Sequence, residues 1–483
     1  MNFPRVLHSI PKLLILAALL TPALAQNTPI PQIVGPVHPD AVAPSTEPFT
    51  LSVYGANFVP GSVVNWNYQP RVTNYVSGHE IQAQILASDV VQNTAGYITV
   101  VNPPPGGGSS SATWAQVEVH DPVSAISLDS PVNYDFGFWA LAAADFTHDS
   151  RLSLVGEYGS LLGFGYAQSA GTFGPWSVAG SGYECCNEFG YGDFNGDGNV
   201  DIVFQPSGDS GNALRVMLGN GHGDFSSGSS FTGYYGSLGF MLVGDFNQDG
   251  RLDLVTRGPS NLSSYLGNGD GTFEDKANYA YPSEGLVADA VAGDVDGDGI
   301  LDLIVLQAPY LSFNNGSQPG FAFWLLRGNG DGTFQRPKKI GAFPNENICG
   351  GMLLSDFNGD GNLDLAVCTA TQVGVMLGNG DGTFRPPVFY TASTYGILAF
   401  AVGDINSDGN QDLLVYEGTP LGTPWQLGVF LGNGDGTFQA QQIITQPVPT
   451  SAELGLVLGD YNRDGLLDTI FLSDFGMNVY LQQ

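Results

Sequence analysis

The chain is predicted to be all-β: a small β-sandwich over residues 29–121, then a seven-bladed β-propeller over residues 123–483 closed by strands from both of its ends. Three observations predict this. One acidic loop motif recurs six times at similar intervals, starting at Asp193, Asp245, Asp294, Asp356, Asp404 and Asp460. A Gly-Asn-Gly turn recurs between the loops, within short apolar, β-branched runs. Residues 29–121 carry neither motif. Regular self-similarity of this kind marks a repeat architecture, in which each unit buries its faces against its neighbours.

The first residues read as a secretory signal over residues 1–25. Arg5 and Lys12 supply positive charge around the apolar stretch Leu13 to Leu20, which is too short to span a bilayer. Ala23, Leu24 and Ala25 before Gln26 form a small-x-small cleavage site. An uncleaved anchor is the competing reading. No later apolar run reaches the length of a membrane span, so the mature chain is expected to be exported and soluble, in a compartment where Ca²⁺ is commonly available.

Residues 29–121 follow. Alternating runs (Phe49 to Tyr54, Ser62 to Trp66, Ile81 to Ile85, Tyr97 to Val101) are separated by Pro, Gly and Asn, as in a small sandwich. Pro103 to Gly108 is expected to be a loop within that module, because Ala115 to Val119 reads as its last strand. Gly55, Ala56, Asn57 and Phe58, followed by Pro60, Gly61 and Ser62, resemble the immunoglobulin-like IPT/TIG modules.

The repeats begin near residue 122. Each unit reads as strand, acidic loop, second strand, third strand, Gly-rich hairpin and fourth strand, the order of a propeller blade. An open β-solenoid is the alternative, but its repeats are usually much shorter. The hairpins recur at residues 218–225, 266–273, 327–334, 377–384 and 431–438, with Asn-Gly and Asp-Gly supplying the positive φ that such turns need. The spacing from each turn Asn to the next acidic loop is nearly constant: Asn220 to Asp245, Asn268 to Asp294, Asn329 to Asp356, Asn379 to Asp404 and Asn433 to Asp460. The last loop starts at Asp460, and the chain ends at Gln483, where a hairpin is due. The segment Ser124 to Val132 is a spare strand. It is predicted to complete the seventh blade beside the C-terminal strand, which would leave no open sheet edge.

The acidic loops are the candidate metal sites. They comprise Asp193, Asn195, Asp197, Asn199 and Asp201; Asp245, Asn247, Asp249, Arg251 and Asp253; Asp294, Asp296, Asp298, Ile300 and Asp302; Asp356, Asn358, Asp360, Asn362 and Asp364; Asp404, Asn406, Asp408, Asn410 and Asp412; Asp460, Asn462, Asp464, Leu466 and Asp468. Positions 1, 3, 5 and 9 offer side-chain oxygens, position 7 a carbonyl, and position 6 is always Gly. Alternate carboxylates around such a turn suit a hard cation, and Ca²⁺ is expected, about six ions with a structural role. An EF-hand would need flanking helices and a Glu at position 12. Here the flanks are strand-like and position 12 is Phe204, Thr256, Val305, Val367, Val415 or Phe471.

The repeated Gly-Asp-Phe-Asn-x-Asp-Gly-x-x-Asp motif, intact or nearly so from Gly192 onward, resembles the FG-GAP/VCBS repeats of bacterial exported proteins and of the integrin α-subunit propeller. The resemblance covers residues 123–483 and implies a calcium-stabilised propeller used in binding or cell adhesion. The first unit departs from it. Thr147, Ser150 and Ser153 stand where Asn, Gly and Asp are expected, and losing two side-chain ligands argues against a cation there.

Charge narrows the partners. The chain holds 14 Lys and Arg against 46 Asp and Glu, a formal charge of −32. The six loops hold 19 of those carboxylates. With 43% hydrophobic and 11% aromatic residues, the acidity does not signal disorder. With no basic stripe, nucleic acid is not an expected partner. Cys349 and Cys368 flank one acidic loop on adjacent strands, within reach of a bridge. Cys185 and Cys186 either form a strained vicinal ring or stay free. No CxxC pair suggests zinc.

Unit lengths point to a ligand face. The stretch from the first Asp of a loop to its turn residue has one short, constant length in the first, third and fifth units, Asp145 to Gln168, Asp245 to Asn268 and Asp356 to Asn379. It is longer in the second, fourth and sixth, Asp193 to Asn220, Asp294 to Asn329 and Asp404 to Asn433. The variation falls between strands two and three, on the face opposite the acidic loops. Length tolerance on one face of a rigid scaffold marks a binding surface. Tyr310, Phe313, Asn314, Asn315 and Trp425 lie in the insertions, and Tyr234, Tyr235, Tyr281, Glu284, Glu346 and Tyr395 in the connections between units. Exposed aromatics beside amides and carboxylates suit an extracellular carbohydrate or protein; packing of these rings against the rim is the plainer reading.

Catalytic signals are thin. Only His148 and His222 fall in the propeller, Gly208 to Gly211 read as a protease-like Gly-Asp-Ser-Gly without the partners of a triad, and no metalloprotease, phosphate-loop or dinucleotide motif is present. A non-catalytic binding module is expected. A polysaccharide-acting lyase or hydrolase is the alternative, with Glu284, Glu346 and Glu453 as its only modest acid–base candidates.

Overall fold

The computed structural model describes residues 28–33, 37–105, 107–110, 115–123, 126–134, 141–158, 161–168, 171–178, 189–206, 213–232, 240–257, 261–280, 285–309, 321–343, 348–392, 396–418, 426–444, 453–473 and 476–483. Among these residues there is no α-helix; a 3₁₀ turn spans Ala87–Asp89. No helix among them is long and apolar enough to cross a membrane. The segment read as a signal lies outside the described residues.

Seven four-stranded antiparallel sheets follow one another in sequence. The second is typical. Phe189–Gly192 pairs with Asp201–Phe204, that strand with Ala213–Gly219, and that with Phe225–Thr232. The acidic loop joins strands one and two, and the Gly-rich hairpin joins strands three and four, as expected. Strand two is buried along its whole length in the second, fifth and sixth units. It packs between neighbouring sheets on both faces, so its sequence is a continuous apolar run rather than an alternating one.

The sheets pack in a closed circuit. One buried cluster joins the first sheet to the second through Phe164, Val155, Ile202 and Met217. Five further clusters join each sheet to its successor up to the seventh. A seventh cluster returns to the start, with Leu152 and Leu154 of the first unit against Ile470, Met477 and Val479 of the last. The architecture is β-propeller-like and all-β.

The spare strand sits in the seventh sheet. Val132–Tyr134 pairs antiparallel with Gly476–Tyr480, and Leu128 bridges to Gln482. The pairing is centred a few residues later than the segment Ser124 to Val132. Leu128, within that segment, is buried between the sixth and seventh sheets.

The N-terminal residues form two sheets around one core. One runs Gln32–Ile33, Phe49–Ala56, Glu80–Ile85, Val72–Tyr75; the other Ala41–Val42, Ala115–Val119, Thr94–Asn102, Val63–Trp66, Gln69–Pro70. Leu51, Val53, Trp66, Ile81, Ile98 and Val117 fill the space between them. Ala115–Val119 is the last strand, and Thr94–Asn102 and Gly108–Ser109 pair with each other. The strand Val72–Tyr75 was not legible in sequence, because it lies almost wholly exposed at a sheet edge and carries no alternation. Cys368 is buried and disulfide-bonded. Cys185 and Cys186, and the side chain of Cys349, lie outside the described residues.

Candidate metal centres

Each acidic loop is shaped by its own side chains. The position-1 Asp takes the amide of the position-6 Gly on Oδ2: Gly198 on Asp193, Gly250 on Asp245, Gly299 on Asp294, Gly361 on Asp356, Gly409 on Asp404 and Gly465 on Asp460, at 2.6 to 3.0 Å. These glycines have φ between 81° and 90°, a region L side chains avoid. In the first unit Ser150 makes the same bond to Asp145 from φ 64°. The loop shape therefore survives where the motif degrades.

Position 5 takes the amide of position 7. Asn199, Arg251, Ile300, Asn362, Asn410 and Leu466 donate to Oδ1 of Asp197, Asp249, Asp298, Asp360, Asp408 and Asp464. Where position 3 is Asn, its amide leans on the same Asp in the second, third, sixth and seventh units, at 2.9 to 3.1 Å.

Position 9 has a role that sequence reading missed. Both oxygens accept backbone amides, one from position 2 of the loop and one from the end of strand three. Asp364 takes Phe357 at 2.9 Å and Gly378 at 2.7 Å. Asp201, Asp253, Asp302, Asp412 and Asp468 repeat the pattern, with Gly219, Gly267, Gly328, Gly432 and Gln482 as the strand-three donors. All six carboxylates are fully buried. In the first unit Ser153 stands at position 9, and its hydroxyl still accepts the strand-three amide, Ala167, at 3.0 Å. The signal was available in sequence: the donor is a Gly immediately before the turn Asn in five of the six intact units.

Burial raises these acids. It pushes Asp201, Asp302 and Asp364 up to about 7 and Asp412 and Asp468 up to about 8, with nearby loop carboxylates adding and the amide bonds opposing. At position 1, burial lifts Asp245 and Asp460 to about 7 and Asp404 to about 9. Buried carboxylates facing each other without a counter-charge are what a cation would relieve.

The loop of the fourth unit tests that fit directly. Oxygens of Asp294, Asp296 and Asp302 all lie within 4.8 Å of one another. Ca²⁺ binds oxygen at 2.3–2.6 Å, so one ion can reach ligands about 5 Å apart. The donor set of positions 1, 3 and 9 therefore fits a hard cation here. Asp298, at position 5, is not part of that group. In the other intact loops position 3 is Asn, so only carboxylates 1, 5 and 9 are available.

The face that carries these loops is covered. The N-terminal sheets sit on it and reach most of its loops. Tyr68 donates its hydroxyl to Asp145 at 3.1 Å, the Ile30 amide donates to Asp245 at 2.8 Å, and His79 Nδ1 lies 2.7 Å from Asp294 Oδ2. Gln411 donates to Asp40, Ser407 to Glu118 at 3.1 Å, and the Asp460 amide to Gln116 at 3.1 Å. Tyr54 lies against Gly361 of the fifth loop. Polar side chains and a backbone amide hold the N-terminal module to the loop face.

The predicted ligand residues Tyr234, Tyr235, Tyr281, Tyr310, Phe313, Tyr395 and Trp425 lie outside the described residues, as do Asn314, Asn315, Glu284, Glu346 and the side chain of Glu453.

The chain carries three FG-GAP-like repeats, matched over residues 193–256, 245–305 and 356–415. Each match begins on the first Asp of an acidic loop and ends in the second strand of the next unit. No curated protein matches the sequence. Among solved structures, a lectin from Agrocybe aegerita, described by its specific recognition of non-reducing terminal N-acetylglucosamine, is 16% identical over 80% of this chain and 96% of its own, with a TM-score of 0.49. An auxiliary nutrient binding protein from Bacteroides ovatus is 11% identical over 94% of this chain and 100% of its own, with a TM-score of 0.37. Scores this low carry no argument about ligand or mechanism.

Proposed function

We propose that the protein is an exported, calcium-stabilised binding or adhesion module. In this reading residues 123–483 form a seven-bladed propeller, residues 29–121 an IPT/TIG-like immunoglobulin-fold domain, and the six intact acidic loops hold structural Ca²⁺. The ligand, an extracellular carbohydrate or protein, binds the face opposite those loops. The observation that carries this reading is the convergence of Asp294, Asp296 and Asp302 in a loop that the chain repeats six times. The ion would add charge where burial leaves carboxylates uncompensated, and it would do so only in the folded state, so it would act as a stabilising ligand. The other half of the reading rests on one face being occupied by the N-terminal sheets, while strand two of each unit runs from the acidic loop toward the connections whose length varies in sequence.

The test is binding of the full mature chain to a glycan array and to extracellular proteins, with calcium and with chelator. Saturable binding lost on changing Trp425 and Tyr310 together, with the fold intact by circular dichroism, is expected. Binding that survives those changes and is instead lost on altering the N-terminal sheets would overturn the assignment of the face.

A further inference from the structure

One contact between the N-terminal sheets and the ring differs in kind from the rest. Tyr68 meets Asp145, but that loop has Ser153 at position 9 and lacks the third carboxylate. The contact to Asp245 comes from a backbone amide, Ile30. Among the described residues, the fourth loop alone combines three converging carboxylates with a side chain from the N-terminal module on one of them. His79 Nδ1 lies 2.7 Å from Asp294 Oδ2. A carboxylate has no hydrogen to give, so the imidazole is the donor.

His79 is itself held in place. Its carbonyl accepts the Gly55 amide at 2.9 Å and its amide donates to Ser77 Oγ at 3.1 Å. Both neighbours belong to the N-terminal module. Asp294 in turn accepts the amides of Gly297 and Asp298 on Oδ1 and of Gly299 on Oδ2. The imidazole thus adds a bond to Asp294 that comes from outside its own loop. Arg327 Nη1 holds Asp296 Oδ2 at 2.8 Å. Two of the three converging carboxylates are oriented by side chains from elsewhere in the chain. Beside them a cleft of about 130 Å³, lined by Tyr54, His79, Asp294 and Asn362 among others, leaves room for water and for an ion to enter.

We propose that His79 is a positioning residue for the cation of the fourth loop, and that it links that cation to the seating of the N-terminal module. The inference rests on the reading that the acidic loops hold divalent cations. An outer-shell hydrogen bond that fixes a ligating carboxylate commonly governs metal affinity by about 10- to 100-fold. Because the bond crosses from one module to the other, linkage makes the effect mutual: a seated module tightens the ion, and the ion tightens the seat by the same factor.

The experiment uses the full mature chain, stripped with chelator and titrated with Ca²⁺ by calorimetry. Asp296→Asn identifies the binding step that belongs to the fourth loop. His79→Leu is expected to weaken that step by about 10- to 100-fold and leave the others in place, and His79→Asn, which keeps an N–H donor, to recover most of the loss. Hydrogen exchange is the second readout. Calcium should slow exchange along Phe49–Ala56 and Glu80–Ile85 in the parent chain, and less so in His79→Leu. A fourth-loop step that is unchanged in His79→Leu, or that His79→Asn restores no better than leucine, overturns the inference. A parent chain that binds no divalent cation in any step overturns the underlying reading instead, a result the calorimeter tells apart at once.

Discussion

Replacing Asp364 by alanine separates two roles that the motif fuses. The carboxylate is fully buried and accepts the amides of Phe357 and Gly378. Alanine leaves both donors buried without an acceptor. Each such orphan costs about 1–3 kcal/mol, so the loss is about 2–6 kcal/mol before any ion is considered. Serine at the same place should keep one of the two bonds, as Ser153 does in the first unit with the Ala167 amide, and so lose about half as much. The assay is urea unfolding followed by far-ultraviolet circular dichroism, run in excess chelator and again in millimolar calcium. The order parent, serine, alanine is expected in both solutions, with wider spacing in calcium. If the three chains unfold together in chelator and separate only in calcium, position 9 acts solely as a metal ligand and the backbone-clamp reasoning is wrong.

Three further outcomes are expected. Excess chelator should lower the melting temperature of the parent chain substantially, and calcium should restore it; an unchanged curve with metal removal confirmed by elemental analysis counts against structural ions. Gln482→Ala should weaken closure of the circuit, because the Gln482 side chain donates to the Ile405 carbonyl at 2.7 Å while its amide serves Asp468; size-exclusion chromatography should show more self-association than for a substitution at exposed Gln483, and equal profiles would count against that role. Asp289 is pushed up to about 6 chiefly by burial, against the amides of Met352 and Ala290 and the charge of Arg257. The folded chain therefore holds that proton more tightly than the unfolded chain, whose value is near 3.8, and this group withdraws stability as pH rises from about 4 to about 6. Asp289→Asn should show a flatter stability profile across that window, and equal slopes would refute the assignment.

The fold was legible because its signals are local and repeated. The positive-φ glycines of the loops and hairpins, the β-branched second strands and the constant spacing each point to the same unit, so an error in one copy is corrected by the others. The closing strand was legible by subtraction, since the last unit stops where its hairpin is due. What stayed hidden depends on contacts between distant residues. Nothing in the neighbourhood of Tyr68, His79 or Gln116 marks them as partners of Asp145, Asp294 and Asp460, because docking of one rigid unit on another leaves no period in the sequence. Asp40 and Glu118 were equally silent: in sequence they are solvated acids, and in the structure both are buried against the sixth unit.

The acidic loop is better understood as a junction than as a cage alone. Its position-9 Asp ties it to strand three of its own sheet. Its position-2 carbonyl receives an amide from the hairpin of the next sheet: Gly271 donates to Phe194, Gly332 to Phe246, Gly382 to Val295 and Gly436 to Phe357, at 2.9 to 3.1 Å. In the seventh unit the side-chain amide of Gln482 performs the same donation to Ile405. Its position-1 Asp is met from above by the N-terminal module in four units. A divalent ion inside such a junction would draw on the same oxygens that hold strand, neighbour and module, so its free energy would be spread over all three connections rather than confined to one loop. Loss of cation should therefore loosen the circuit between sheets and the seat of the N-terminal module together, in one transition. If hydrogen exchange in chelator instead opens the loops while Phe49–Ala56 and the inter-sheet strands keep their protection, the junction is mechanically independent of its ion and the loops are only a local site.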